Sequence, residues 1–446
     1  MKKIFAIISL ILTLALIIGG IVITLVLKED QAPEDTSAAL ENNTQVWVQF
    51  HTWWNTPWGK SRNTKLPYSQ WGAWSTFSDY TPAQTFSDNK NKRVISSVTY
   101  PSNYKTNTQS KYIKLTTLKY NNLGSYPMIG LYDSADDEII KYQIKLAKAA
   151  GVDAFGVAVY DVYTDNRKTT GKNICADASV PYQIGGIDRF KKILKIASQN
   201  NFKVFAEVWI PANVNGKDNE CGSRASYRYA ISRILNETSN DSAYLKRSNK
   251  PVIVLANYGS PSMIVQDLNR IERNTKKDVY WVGNELPLDV TLKSELKTIA
   301  VGSILQSGTF IANPDYSSQE TKIAQLKQQY TTTILHVYPG FDDSFRLKVP
   351  AFQQQQYKPM GLNRVDRSGQ YAFEKQLATA KKLKVDIVWI ESWNDYQEQT
   401  MIEPAFRVDG QDVQNSYKYL EILAAFKGKT FKKPNLPPTN VLDPIK

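Results

Sequence analysis

A chain of 446 residues with 42% hydrophobic and 11% aromatic content can bury a large core, enough for one α/β barrel with insertions. Its net charge of +13 is scattered through amphipathic segments, densest at Lys90 to Arg93, rather than gathered into one arm, so nucleic acid is not expected as a partner. With two histidines, two cysteines, no Gly-x-Ser-x-Gly elbow, no Gly-x-Gly-x-x-Gly and no phosphate loop, the sequence gives no footing to zinc, serine-triad or nucleotide chemistry, and no cofactor is expected.

Lys2 and Lys3 precede an uncharged apolar run from Ile4 to Leu27, followed by Lys28, Glu29 and Asp30. The run is long enough to cross a bilayer, and longer than the apolar core of a cleavable signal peptide. Residues 1–27 are therefore expected to be a transmembrane signal anchor, with the membrane as a partner and the rest of the chain extracytoplasmic; cleavage would instead give a secreted protein. Residues 28–45 read as a polar stalk, 46–430 as the globular domain and 431–446 as a tail.

From Val46 onward, short β-branched or aromatic runs alternate with helical patterns, the mark of repeated βα units around a parallel sheet. Eight strands are expected: Val46 to Phe50, Asp153 to Val159, Lys203 to Trp209, Pro251 to Ala256, Val279 to Val282, Ala300 to Leu305, Thr332 to Val337, and Asp386 to Trp393. The fold expected is a (β/α)8 TIM barrel with long loops on its C-terminal face. Residues Thr52 to Leu131 exceed an ordinary βα loop and read as an insertion over that face, carrying Trp53, Trp54, Trp58, Trp71 and Trp74. The next helix is expected to be capped by Ser134 and to bury Ile139, Ile140, Gln143, Ile144 and Ala147, with Gly151 just past its end. Later helices should bury Phe190, Ile193, Leu194 and Ala197, and then Phe373, Leu377 and Ala380. Cys175 and Cys221 sit on long loops and either form a disulfide or stay as thiols. Sequons at Asn42, Asn236 and Asn240 matter only in a eukaryotic secretory route.

Polar residues at the C-terminal ends of barrel strands are the first candidates for chemistry. The last strand leads into Glu391-Ser392-Trp393-Asn394-Asp395-Tyr396-Gln397-Glu398, with Glu403 close behind, four acids among aromatics and amides. Crowded carboxyls under aromatic rings separate in pKa, which lets one act as acid while another stays ionised, the requirement for cleaving a glycosidic bond. Asp395 and Glu398 are the candidate pair, against the alternative that such acids are caps or surface groups. Other strand ends supply Glu207, Asn257, Asn284, Glu285, His336 and Asp342, and tryptophans near the cleft suit the apolar faces of sugar rings, with ordinary core packing accounting for the rest.

Three stretches resemble the glycoside hydrolases related to endo-α-mannosidase (family 99) and to the α-1,3-glucanases (family 71). Residues 392–404 are similar to Asn-Glu-Trp-x-Glu-Gly-Thr-x-Ile-Glu-Pro in the first and Trp-Asn-Asp-Tyr-Gly-Glu in the second. Tyr338-Pro339-Gly340-Phe341-Asp342-Asp343 looks like a strand-seven element, and Tyr126 to Ser134 like the approach to the first helix, while Trp53-Trp54 matches an aromatic loop after strand one. The resemblance implies an endo-acting hydrolase of α-linked mannan, glucan or glycan, with Glu398 as general acid. Asp395 would then be either a base on the sugar's 2-hydroxyl, with retention, or an activator of water, with inversion. It further implies substrate contacts from Trp54, Tyr132, Asp133, Glu207, His336, Asp342, Trp393, Asn394 and Glu403. The sequence departs from the pattern where Asp395 replaces Glu and where Gln397 and Gln399 replace residues that include glycines, which leaves open a barrel that binds glycan without turning it over.

Overall fold

The computed structural model describes residues 43–54, 125–129, 132–159, 186–209, 224–256, 261–283, 332–341, 371–396, 398–407 and 416–437, with a few helical positions between 320 and 328. Strands β1 (Gln45–Phe50), β3 (Ala154–Val159), β4 (Lys203–Trp209), β6 (Lys250–Ala256), β7 (Tyr280–Gly283), β8 (Ile334–Val337) and β9 (Ile387–Ile390) run parallel to their neighbours, in the order β7-β6-β4-β3-β1-β9-β8. The two-residue β5 (Lys246–Arg247) adds antiparallel to β6 and completes an eight-stranded, mostly parallel sheet. A separate antiparallel pair joins β2 (Ser125–Pro127) to β10 (Ala405–Arg407). The arrangement is an α/β fold consistent with the expected (β/α)8 barrel, and seven of the eight expected strands lie in the sheet. The sixth, Ala300 to Leu305, falls outside the described residues.

Among the described residues, these helices accompany the strands: α1 (Asp137–Ala149), α2 (Ile187–Gln199), α3 (Arg224–Thr238), α4 (Pro261–Thr275), α5 (Tyr371–Lys382) and α6 (Lys418–Phe426). The apolar stripes expected of α1, α2 and α5 are buried. On α1 the cap differs from the expectation. Asp136, not Ser134, is the N-cap, because its carboxylate accepts from Glu138 N at 2.9 Å, while Asp137 and Glu138 place negative charge at the positive end of the helix dipole. Gly151 follows the end of α1 at φ +81°, and a Cβ there would meet the Lys427 side chain at 2.8 Å, so both backbone and space ask for glycine. Lys427 in turn donates to Thr44 O (2.8 Å) and reaches Asp153 Oδ2 (3.1 Å), tying the end of α6 to the starts of β1 and β3.

The ladder register sorts the interior. Trp47 pairs with Ala154 and with Trp389, Gln49 pairs with Gly156, and Gly156 with Phe205, so these residues share one face of the sheet. Phe205 lies against both Trp47 (4.8 Å between ring centroids) and Trp389 (5.8 Å). Along β1 that face changes from Trp47 to Gln49 to His51, apolar at the start of the strand and polar at its C-terminal end. Val46, Val48 and Phe50 face the other way, and Phe50 stacks on Phe155 at 4.9 Å. Hydrophobic packing therefore closes the bottom of the interior, and polar groups collect at the top.

The single-pass membrane placement expected from the sequence is not sustained and is withdrawn. Among the described residues no helix is long and apolar enough to cross a membrane. Residues 1–27, which were to supply the span, lie outside the described residues, as do Cys175, Cys221, Trp58, Trp71 and Trp74.

A Cβ on Gly156 would stand 2.5 Å from Trp389 Cη2 and 3.0 Å from Phe205 Cε2. Gly156→Ala is expected to destabilise the protein by about 1–3 kcal/mol through overpacking, measured by urea denaturation, and Gly156→Val by more.

Candidate active site

The chain leaves β9 earlier than its pattern suggests. The run to Trp393 reads as strand, yet the strand ends at Ile390, as the Ser392 backbone turns to partners in the following loop. Ser392 N donates to Thr400 O (2.8 Å), Ile402 N to Ser392 O (2.9 Å), Trp393 N to Gln49 O (2.7 Å) and Glu403 N to Trp393 O (2.8 Å). The result is a closed loop whose two ends lie side by side. Inside it, Asp395 N donates to Ser392 Oγ (2.7 Å), and Asp395 Oδ1 accepts from Glu398 N (3.0 Å). One oxygen of Asp395 thus builds the turn that delivers Glu398, and both carboxylates emerge from one loop above β9. Asp395 is buried and Glu398 half-buried.

The turn persists without the glycine of the resembling pattern. Gln399 adopts φ +57°, at a cost of roughly 1–2 kcal/mol for a residue with a Cβ. Its side chain offsets part of that cost by donating to Tyr396 O and accepting from Ser125 Oγ, which also links the loop to β2.

Glu403 fixes the loop from behind. Its Oε2 accepts from Tyr132 Oη and Tyr396 Oη, each at 2.7 Å, and its Oε1 from Gln143 Nε2 at 2.7 Å. Burial pushes its carboxyl up to about 7, against the lowering effect of the Gln143, Tyr396 and Tyr132 hydrogen bonds. Glu403, expected on the substrate side, is thus a buried anchor between the loop and α1. Tyr132 also lies 3.1 Å from Asn394 Nδ2. Burial and the nearby Glu403 charge hold the Tyr132 phenol well above its usual range.

Asn394 locks the loop to β1: its Oδ1 accepts from His51 N (2.8 Å), its Nδ2 donates to His51 O (3.0 Å), and its backbone O accepts from Trp54 Nε1 (3.1 Å). Trp393 and Trp54 are fully buried, Trp393 against Phe155 and Trp54 edge-on to Tyr396. Asp133 accepts from Ala135 N (2.7 Å) and stands 3.8 Å from the Arg189 guanidinium, which donates to Thr52 O. Glu207, at the end of β4, is buried and receives Gln49 Nε2 at 2.9 Å on both oxygens. His336, at the end of β8, is buried with Nε2 2.8 Å from Glu391 Oε2, close enough for an ion pair but misaligned for a hydrogen bond. Asp342 lies outside the described residues.

Three contributors escaped the sequence reading, Gln49, His51 and Arg189, and Gln143, expected to be buried, was not expected as a donor to Glu403. His51 Nε2 sits 3.7 Å from Asp395 Oδ2 and 3.1 Å from Gln49 Oε1, and its ring stacks on Trp53 at 4.4 Å. Desolvation lowers the imidazole to about 3 despite the opposing charge of Glu391. A signal was available for two of them, since Gln49 and His51 interrupt an apolar strand at the same parity as Trp47. Among the described residues, no group of three His, Cys, Asp or Glu is placed to hold a metal ion.

With this geometry in view, the comparisons with known proteins are informative at the level of fold. No family model matches the chain, and no curated protein matches it in sequence. Among solved structures it is similar to the family 99 endo-α-mannosidase from Bacteroides thetaiotaomicron, at 16% identity and TM-score 0.53 over 86% of this chain and 98% of that one. The same mannosidase in complex with bis-tris-propane gives 15% identity and TM-score 0.53, over 86% and 97% of the two chains. The chain thus shares the fold of a family 99 glycoside hydrolase, the architecture that its three sequence stretches resemble.

The raised carboxyl of Glu403 has a defined effect on stability. Its folded value lies above the ordinary 4.5, so the folded state binds more protons than the unfolded one between about pH 4.5 and about 7. The contribution is present below pH 4.5 and is lost as pH rises through about 7, a fall of about 3 kcal/mol, read from urea melts across that range. Glu403→Gln, with the Gln143 amide reversed to accept, is expected to stay folded and to flatten this dependence.

Proposed function

We propose that this protein is a glycoside hydrolase that cleaves α-linked chains of mannan, glucan or glycan internally, using Asp395 and Glu398. The observation that carries the reading is the closed loop above β9, in which one oxygen of Asp395 positions Glu398 while the other stays directed towards His51. Two carboxyl groups at the C-terminal mouth of a barrel are the machinery that glycosidic cleavage needs. The half-buried Glu398 protonates the leaving oxygen as the bond from the anomeric carbon breaks. The more deeply held Asp395 is the base, withdrawing a proton from the sugar's own 2-hydroxyl or from water.

Shared fold with an endo-α-mannosidase favours an α-mannan as the first substrate to try, followed by α-1,3-glucan and N-glycan fragments. The persistence of the turn at Gln399 favours turnover over mere binding, because the two carboxyl groups remain on the same loop.

The two roles separate experimentally by leaving group. Glu398→Gln is expected to cut kcat by about 10²–10⁴-fold on an oligosaccharide, and far less on a glycosyl fluoride, whose leaving group needs no proton. Asp395→Asn should be slow on both. Near-normal turnover of the oligosaccharide by both variants, each folded as the parent, would overturn the assignment.

A further inference from the structure

A line of polar groups crosses the mouth of the sheet from β4 to the loop after β9. Glu207 receives Gln49 Nε2 on both carboxylate oxygens at 2.9 Å, an arrangement that only the NH2 side of the amide satisfies. The Gln49 amide is therefore fixed in one orientation, and its Oε1 is turned towards His51 Nε2, 3.1 Å away. Asp395 Oδ2 also faces that nitrogen, at 3.7 Å. Both are acceptors, which favours the proton on Nε2.

The geometry points to His51 as a positioning residue, a neutral imidazole whose Nε2–H, oriented by the Glu207 and Gln49 pair, is presented between Gln49 and Asp395 Oδ2 and steers the catalytic carboxylate. The ring cannot swing away, because it lies flat against Trp53 (8° between planes) and its backbone is clamped on both sides by Asn394. Desolvation keeps it uncharged. A cation at this place would bind Asp395 strongly and blunt its basicity, whereas a neutral N–H 3.7 Å away, outside hydrogen-bond range, biases the direction of Oδ2 and leaves it free to take a proton. Among the described residues, the other titratable groups near the ring are Glu207 from β4 and Glu391 at the end of β9, with His336 from β8 beyond Glu391. The positioning role rests on the glycosidase reading; the placement of the proton does not.

That difference sets the test. The full chain labelled with 15N in histidine gives only two imidazoles to assign, with His51→Phe removing one. His51 is expected to show the neutral Nε2–H form throughout pH 5–8, and to lose that fixed form in Gln49→Leu. A proton on Nδ1 alone, or a cationic ring in this range, would overturn the inference whether or not the protein hydrolyses anything. For the role itself, His51→Phe retains the stack on Trp53 and removes the donor. It should lower kcat at least 10-fold with little change in KM and move the acid limb of kcat/KM to higher pH. His51→Gln, which brings an N–H to nearly the same point, should restore much of the rate. Unchanged kinetics and pH profile in His51→Phe, with the parent's melting temperature and an active parent enzyme, would leave His51 a packing residue and contradict the proposal.

Discussion

The loop that carries Asp395 and Glu398 is held in place by one buried acid. Glu403 gathers two phenols and an amide, and each arrives from a different direction: Tyr132 from the segment before α1, Gln143 from α1 itself, and Tyr396 from within the loop. An unpaired carboxylate in that position would be costly, and the three donors make it tolerable while leaving its carboxyl shifted upwards. Backbone bonds from Ser392 to Thr400 and Ile402 then close the loop on itself. A site whose reacting groups sit on a loop gains rigidity from such an anchor, because the orientation of two carboxylates has to be held within fractions of an ångström.

The same economy extends across the mouth of the sheet. Each polar group is oriented by the one behind it: Glu207 fixes Gln49, Gln49 fixes the proton on His51, and Asn394 fixes the His51 backbone. Below them Trp47, Phe205 and Trp389 fill the interior, with Gly156 leaving the space that Trp389 occupies. The apolar layer excludes water from beneath, which strengthens the electrostatic interactions of the layer above. Core and site are therefore successive levels of the same strands.

Much of this was legible in the sequence, and the reasons are physical. A parallel strand buried on both faces gives a continuous apolar run, so β3, β4 and β6 could be placed to within a residue. The stripe on α1 was equally plain, including Gln143, whose burial is explained only by Glu403. What could not be read was the choice between competing local partners. Ser134 and Asp136 are both capable caps, and Asp136 prevails because its carboxylate is the one that meets a free N–H. Trp389 to Trp393 has the composition of strand throughout, but the backbone of Ser392 turns to Thr400 and Ile402 in the following loop, while Trp393 N still reaches Gln49 O on β1. Gln49 and His51 were missed because their meaning depends on Glu207, 158 residues away from Gln49. The acids around Asp395 were found, yet the sequence could not say that Glu403 faces inward to Tyr132 and Gln143.

Cleavage of an α-glycosidic bond is the proposed activity of this site. The most direct measurement follows the full-length protein with an α-linked mannan oligosaccharide by proton NMR, recording the anomeric signals as they first form. The account predicts new reducing ends appearing with a single initial configuration, α if Asp395 works on the sugar's hydroxyl and β if it works on water. Bound oligosaccharide with no new reducing ends, extended to α-1,3-glucan and N-glycan fragments with the same result, would contradict it.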